Sequence, residues 1–432
     1  MSAADFPTRP ALREQQFRQL QALLDAIRPR NPFYEARLSA AALPPTLASL
    51  EEFSARVPFT TKPELAADQA AHPPYGTNLT WPLERYRRCH QTSGTLGTPL
   101  RWLDTPEDWE AMLGQWETVY AAAGIAAGDV VCFAFSFGPF IGFWLAFEAA
   151  VRSGCRCLPG GGLSSLLRLR MILDHQATVL CCTPTYALHL AETAAREGID
   201  LSVAHVRTLL VAGEPGGSVP AIRARLEQLW PGARVFDHHG MTEVGPVTFQ
   251  CPLHPGRLHV IESAYFAEII DSTTGQAVEP GQTGELVLTT LRRPGSPVLR
   301  YRTGDLVRAR PVEACECGRS DLALEGGILG RSDDMVVVRG VNVYPRVVEE
   351  VILAGGEVAE YRVRLHDRQA LLQLSLEIEP APGVTDPAGL AARLEAALRS
   401  ALSLRVPVTV VAPGALPRFE MKAKRWVRDS AG

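Results

Sequence analysis

The sequence predicts an α/β protein: a large multi-layer N-terminal α/β domain followed by a small α+β C-terminal domain. Three observations carry that reading. Short apolar runs at 130–135, 178–182, 208–212 and 234–236 alternate with helical stretches, and each ends in turn or polar residues, as buried strands of an α/β layer do. A strongly signalled helix precedes them. After Gly330 the pattern changes, giving strands at 335–339, 361–365, 371–378 and 406–411 with helices at 345–354 and 387–402. That order describes a separate unit of ~100 residues. The expected division is therefore 1–330 and 331–432.

The helix start is Thr105-Pro106-Glu107-Asp108: a capping hydroxyl, a proline in the first turn and acids facing the dipole. Trp109, Met112, Leu113, Trp116, Val119 and Tyr120 follow at helical spacing as core residues, and Gly124 ends the run. Residues 130–147 carry no charge over 18 positions and so mimic a membrane helix. Gly138-Pro139 and Gly142 interrupt them, which favours a buried strand, a turn and a buried helix over a membrane span.

Composition narrows the class. An apolar content of 46% with 21% charged residues is ordinary for a soluble globular chain. A net charge of −4 argues against a general nucleic-acid or anionic-membrane binder. Met1–Phe6 shows no secretory pattern, and nine cysteines without one point to a reducing cytoplasm and not to a disulfide framework. The cations are almost all arginine. Lys62, Lys422 and Lys424 are the only lysines, which draws interest to the C-terminal pair.

Residues 91–99, QTSGTLGTP, read as a phosphate-holding loop. Gly94 and Gly97 let the backbone bend toward an anion, and Thr92, Ser93, Thr95 and Thr98 supply hydroxyl donors. No Gly-Lys-Ser/Thr follows, so it is not a Walker loop. Ligands of α/β sheets sit beyond the carboxyl ends of strands, where AGEP (212–215) and HHGMTE (238–243) fall.

TSGTLGTP resembles the phosphate loop of the adenylate-forming enzymes: acyl-CoA synthetases, peptide-synthetase adenylation domains and luciferases. AGEP, FDHHGMTE (236–243), GELVLTTLRRPGSPVLRYRTGDL (284–306), GRSDDMVVVRGVNVYP (330–345) and LPRFEMKAKR (416–425) follow in the family's order. The wording of the third and fourth is most similar to the phenylacetate-CoA ligase branch, and the likeness runs from about position 90 to the C-terminus. The resemblance implies ATP-dependent conversion of a carboxylic acid into an acyl-AMP with release of pyrophosphate. It also implies transfer of the acyl group to a thiol, with CoA as the expected acceptor. A carrier-protein thiol, an amine or another small nucleophile is the alternative acceptor, and a non-catalytic nucleotide-binding regulator is the non-enzymatic alternative.

Site residues follow from the matched motifs. Glu243 is the expected Mg²⁺ ligand, since a hard cation wants a carboxylate beside substrate phosphates. The resemblance implies Asp305 for the ribose hydroxyls and Arg331 near ribose and phosphate. It implies Gly213, Glu214, Pro215 and Asp237 around the adenine, with His238, His239, Gly240, Met241 and Thr242 in the same nucleotide motif. Lys422 corresponds to the adenylation lysine, with Lys424 as its competitor, and Asp333 to the hinge of a mobile small domain. Three positions depart from the family pattern: Met421 for a glycine, Leu100 for a small or basic residue and His239 for an aromatic tyrosine. Arg339-Gly340-Val341 corresponds to the family's thiol tunnel.

Cys315-Glu316-Cys317 resembles half of a metal knuckle, and Cys251 with His254 or His259 could complete a Cys₃His zinc site; free buried thiols are the alternative. Some members of the resembled branch carry a comparable zinc, which favours His259. The acyl pocket is expected from Phe137, Phe140, Phe143, Gly160 and Gly161, aromatic walls suited to a flat aromatic acid. The partners expected are thus a carboxylic acid and CoA, without nucleic acid or membrane, and with homodimerisation left open.

Overall fold

Burial on both faces explains the centre of the large domain. Strands Arg156–Pro159, Val130–Phe133, Val179–Cys182, Thr208–Val211 and Arg234–Asp237 lie side by side in that order, all parallel. The three middle strands are buried along their length, which is why they read as unbroken apolar runs. Arg156–Pro159 was not legible because it is a half-exposed edge strand without an apolar run. Alternate side chains serve two cores. Val131 and Phe133 join Trp116 and Leu145 on one face, while Val130 and Cys132 join Tyr186 and Leu190 on the other.

The computed structural model of the chain describes residues 6–92, 99–311, 314–339, 341–368, 371–419 and 423–428. Ser93, Gly94, Thr95, Gly97, Gly340, Met421 and Lys422 therefore lie outside the described residues.

Helix Pro106–Ala122 starts as its sequence dictates. Thr105 Oγ1 accepts from the Asp108 amide at 3.2 Å, and Asp108 Oδ2 accepts from the Thr105 amide at 3.1 Å. The uncharged stretch 130–147 resolves into strand Val130–Phe133, a turn with Gly138 at φ +47°, and the start of helix Ile141–Arg152. Among the described residues no helix is long and apolar enough to cross a membrane.

Two antiparallel sheets extend the large domain. One joins Thr248–Gln250, Arg257–Val260 and Ala323–Glu325; the other joins Tyr265–Ile270, Thr283–Thr290, Tyr301–Arg308 and Gly330–Arg331. Helices Arg9–Ile27, Pro32–Ala40 and Leu50–Arg56 close over the second sheet through Leu24, Tyr34, Phe53, Phe266 and Leu299.

Beyond residue 335 the chain builds a second core. Val358–Arg368 and Leu371–Pro380 form a long antiparallel pair, flanked by Val408–Val410 and Trp426–Arg428, each parallel to its neighbour. Val348 and Ile352 of helix Pro345–Leu353, and Leu394 and Leu398 of helix Pro387–Leu402, pack on Val363 and Leu376. The two long strands outrun the predicted 361–365 and 371–378 because backbone pairing continues past the apolar residues.

Candidate active site

The motifs converge at the carboxyl ends of the parallel strands. Gly240–Met241 pairs with Gly245–Pro246 in a tight two-stranded turn, which puts Thr242, Glu243 and Val244 at its tip. A Cβ at Gly240 would come within 2.8 Å of the Gly245 carbonyl oxygen, so this turn tolerates only glycine there. The Glu243 carboxylate is buried and accepts from the Tyr301 hydroxyl at 3.2 Å. Its other partner is the Lys62 ammonium at 3.3 Å. Arg293 donates to the Thr242 carbonyl at 3.0 Å and is itself held by Asp104 at 2.7 Å, which anchors the turn from below.

Asp305 follows Gly304, whose φ of +79° few other residues adopt. Strand pairing places Asp305 opposite Arg331. Its Oδ1 accepts from Arg331 Nη1 at 3.1 Å, and its Oδ2 lies 3.0 Å from His239 Nε2. Arg331 also grips Asp333 through two bonds, at 2.8 and 2.9 Å, so the proposed hinge residue is tied to the ribose-site candidate. Asp237 closes the strand above. Burial pushes its carboxyl up to about 6 despite the bond from Ser218 Oγ. Gly217 is needed beside it, because a Cβ there would lie 2.5 Å from Asp237 Cγ.

Other expected residues have different partners. Glu214, expected at the adenine, accepts the Thr185 amide at 2.7 Å and the Ala423 amide at 3.2 Å. The second bond crosses from the large to the small domain one residue after Lys422. Thr92, expected as a phosphate donor, accepts the Leu100 amide at 3.0 Å and closes the base of the loop between strands Arg88–Gln91 and Arg101–Asp104. Leu100 is buried as a core residue, which accounts for its departure from a small or basic residue. His238 turns away from Asp237 and meets the Trp116 ring, 4.4 Å between centroids. Burial pushes its imidazole down to about 3, so it is neutral.

Phe135 and Phe143 stack with centroids 4.0 Å apart, and Phe137 and Phe140 border them edge-on. Gly161 lies under this wall, since a Cβ there would come within 3.2 Å of the Phe137 ring. Gly160 sits against the strand, where a Cβ would meet the Phe133 carbonyl oxygen at 2.8 Å. Phe137, Phe140, Phe143 and Gly161 are thus neighbours, and Gly160 adjoins Gly161 on the strand side.

Cys251 and His259, the latter on strand Arg257–Val260, meet Cys315 and Cys317 from about 60 residues further on, and their ligand atoms all lie within 4.8 Å of one another. Cys251 and Cys315 sulfurs are 3.7 Å apart, and Cys317 Sγ is 3.5 Å from His259 Nε2. His259 Nδ1 lies 3.2 Å from the Asp321 carbonyl, an arrangement that leaves Nε2 for a metal. His254 instead pairs with Glu316 at 2.9 Å, outside this four-residue group.

No sequence motif marks Lys62 as a site residue. It opens helix Lys62–Ala71 behind a Thr61/Glu64 capping box, an unremarkable helix start. Its signal was compositional: a lone lysine in an arginine-rich N-terminal region.

Motifs at the strand ends, a buried carboxylate at a turn tip and a C-terminal domain bonded to the large one are the arrangement expected of an adenylate-forming ligase. The chain matches the AMP-binding enzyme family over residues 91–291 and the AMP-binding enzyme C-terminal domain over 340–430. It is 31% identical to the phenylacetate-coenzyme A ligase of Thermus thermophilus, covering 98% of this chain and 97% of that one. To the Pseudomonas putida phenylacetate-coenzyme A ligase it is 34% identical, over 85% and 82%. The chain belongs to the AMP-binding enzymes, in their phenylacetate-coenzyme A ligase branch. Among solved structures it is similar to 2-hydroxyisobutyryl-CoA ligase in the postadenylation state with 2-HIB-AMP, at TM-score 0.91, 28% identity and 99% and 95% coverage. Against the same ligase in the thioesterification state, with identical identity and coverage, the TM-score is 0.72.

Proposed function

We propose that this protein activates an aromatic carboxylic acid with ATP and passes the acyl group to CoA. The observation that carries the reading is the neighbourhood of Tyr301, whose hydroxyl bonds Glu243 and which also feels the paired Asp305 and Arg331; the bond from Ala423 to Glu214, next to Lys422, adds support from the small domain. Asp305, freed from Arg331, can accept two ribose hydroxyls. His239 lies 3.0 Å from Asp305 and is the face against which adenine stacks in place of the family's tyrosine.

Glu243 suits Mg²⁺ because it is a buried carboxylate whose present partners are a phenol and an ammonium. When bound there, the ion would neutralise charge on the leaving pyrophosphate. Lys62, displaced from Glu243 by the cation, would be free for a phosphate oxygen. Lys422 bridges the acid carboxylate and the α-phosphate as charge develops between them. Rotation about Asp333 then withdraws Lys422 and brings the Gly340 segment to the acyl carbonyl.

Four groups with tetrahedral-compatible chemistry support a structural zinc on Cys251, His259, Cys315 and Cys317. The aromatic preference rests on the Phe135, Phe137, Phe140 and Phe143 wall. Acid-dependent pyrophosphate release across a panel of aromatic and aliphatic acids, followed by mass analysis of the CoA product, tests the reading. Release with aromatic acids and formation of their CoA thioesters is expected; ADP as product, or acid-independent turnover, would overturn it.

A further inference from the structure

Arg293 carries a charge into the interior, 1% exposed beside Asp104 at 0%. Taking two charges out of water costs more than their attraction returns unless both are fully bonded, and a well-packed apolar pair is often no less stable. Neither is fully bonded here. Among the described residues Arg293 Nη2 and Asp104 Oδ2 have no hydrogen-bond partner, and His90 Nδ1, 4.0 Å from that oxygen, has none either. Stability is therefore a poor account of the pair. Nor is Arg293 needed to fasten its own loop. The Gly295 amide donates to Asp108 Oδ1 at 3.1 Å, the Tyr86 hydroxyl to the Gly295 carbonyl at 2.6 Å, and Ser296 Oγ to the Leu103 carbonyl at 2.8 Å.

The guanidinium reaches across to two other elements. Its Nε donates to Asp104 Oδ1 at 2.7 Å and its Nη1 to the Thr242 carbonyl at 3.0 Å, while its carbon lies 5.5 Å from the centre of the Trp102 ring. The Thr242 oxygen and the Glu243 nitrogen belong to one planar peptide. Holding that oxygen fixes the direction from which the Glu243 side chain leaves the turn. Asp104 ends strand Arg101–Asp104, which pairs with Arg88–Gln91, and the segment read as phosphate-holding runs between these two strands. One side chain thus ties the strand that follows this segment to the turn that presents the buried carboxylate.

We propose that Arg293, held by Asp104, is a positioning residue that sets the Glu243 turn against the phosphate-loop hairpin, so that Mg²⁺ and the triphosphate are bound together. The inference rests on the ligase reading above and deepens it to the residues that couple the metal to ATP. A small misplacement of a group far from the reacting atoms is enough to impair such a site.

Titration calorimetry with ATP, in Mg²⁺ and in EDTA, reads that coupling without turnover. The wild type is expected to bind ATP about tenfold or more tightly in Mg²⁺. Asp104→Leu/Arg293→Met removes both charges, so no lone charge is left in the interior, yet it gives up the hold on Thr242. Its ratio of the two affinities should fall to within about twofold of unity. Its affinity for AMP, which lacks the two outer phosphates, should stay within about twofold of wild type. Arg293→Lys keeps the charge, but one ammonium does not span both acceptors as the planar fork does, so its ratio should fall about threefold. A wild-type ratio in the double variant would overturn the inference while leaving the ligase reading intact. AMP affinity lost in step with the ratio would mark a general loss of structure and overturn it equally. If the double variant does not fold, Arg293→Lys decides alone, and an unchanged ratio there overturns the inference. Equal affinities with and without Mg²⁺ in the wild type would overturn the metal role given to Glu243 and this inference together; acid-dependent pyrophosphate release remains the separate test of the ligase reading.

Discussion

Single side chains set the chemistry here because each charge at the site has a specific neighbour. Glu243 is held by Tyr301 and Lys62, Asp305 by Arg331 and His239, and Glu214 by two backbone amides. In the proposed reaction Lys422 supplies the cation that only the transition state needs. Lys422→Ala is expected to slow acid-dependent pyrophosphate formation by about 100-fold or more while ATP binding persists. Preformed acyl-adenylate should still be converted to thioester by that variant. Adenylation retained within threefold would move the role to Lys424. At this scale the motifs single out Glu243, Asp305 and Arg331, and the structure buries the first and pairs the other two. They could not reveal Lys62, which lies about 180 positions from Glu243 and meets it only through the fold. Nor could they show Glu214 bonded to Ala423, since a motif names a residue without its partners.

Elements with strong local signals matched their sequence, and weakly signalled ones did not. Helix Pro106–Ala122 has its cap, proline and apolar stripe, and helix Pro387–Leu402 falls on the predicted residues. Edge strand Arg156–Pro159 is half-exposed and strand Thr248–Gln250 is short and mostly polar, so neither shows an apolar run. The sheet of Thr248–Gln250 carries His259, and the segments beside it bring Cys251, Cys315 and Cys317 to the same cluster. Protein purified without a His-tag is expected to contain about one zinc per chain, and chelation should lower the melting temperature. Metal-free protein with all four groups open to modification would discard the site. The segment after Gly330 carries a second prediction. Asp333→Pro should leave adenylate formation near wild type and cut transfer to CoA by about 100-fold or more, because proline restricts the rotating backbone. Asp333→Ala loses the same Arg331 ion pair with a free backbone, so it should transfer far better than the proline variant. Equal loss of both half-reactions in Asp333→Pro would contradict the hinge.

The whole molecule has two consequences that no element shows alone. Its arrangement agrees with the postadenylation form of 2-hydroxyisobutyryl-CoA ligase at TM-score 0.91 and with the thioesterification form at 0.72. The Glu214–Ala423 bond and the 3.6 Å Arg418–Glu192 pair span the two domains in this arrangement, and the proposed rotation of the small domain would break them. Stability should also depend on pH. Burial lowers the His238 imidazole to about 3 and the His90 imidazole to about 4, both below the ordinary 6.5. The folded state thus resists protons that the unfolded chain takes up, so this contribution is present above pH 6.5 and lost as pH falls toward 4 and 3. Asp237, raised to about 6, works in the opposite direction as pH falls and offsets part of the loss. Between pH 6.5 and 5, urea unfolding of the wild type should lose about 1.6 kcal/mol more than that of His238→Leu. Parallel curves would show that His238 protonates freely in the folded protein.

One chain is expected to perform two ordered half-reactions on the same acid. A quenched single-turnover experiment with acid, ATP and Mg²⁺ but no CoA separates them. About one equivalent each of acyl-AMP and pyrophosphate per chain is expected before CoA is added, followed by acyl-CoA and AMP after its addition. Acyl-CoA formed with ADP and phosphate, or pyrophosphate released without acid, would contradict the account.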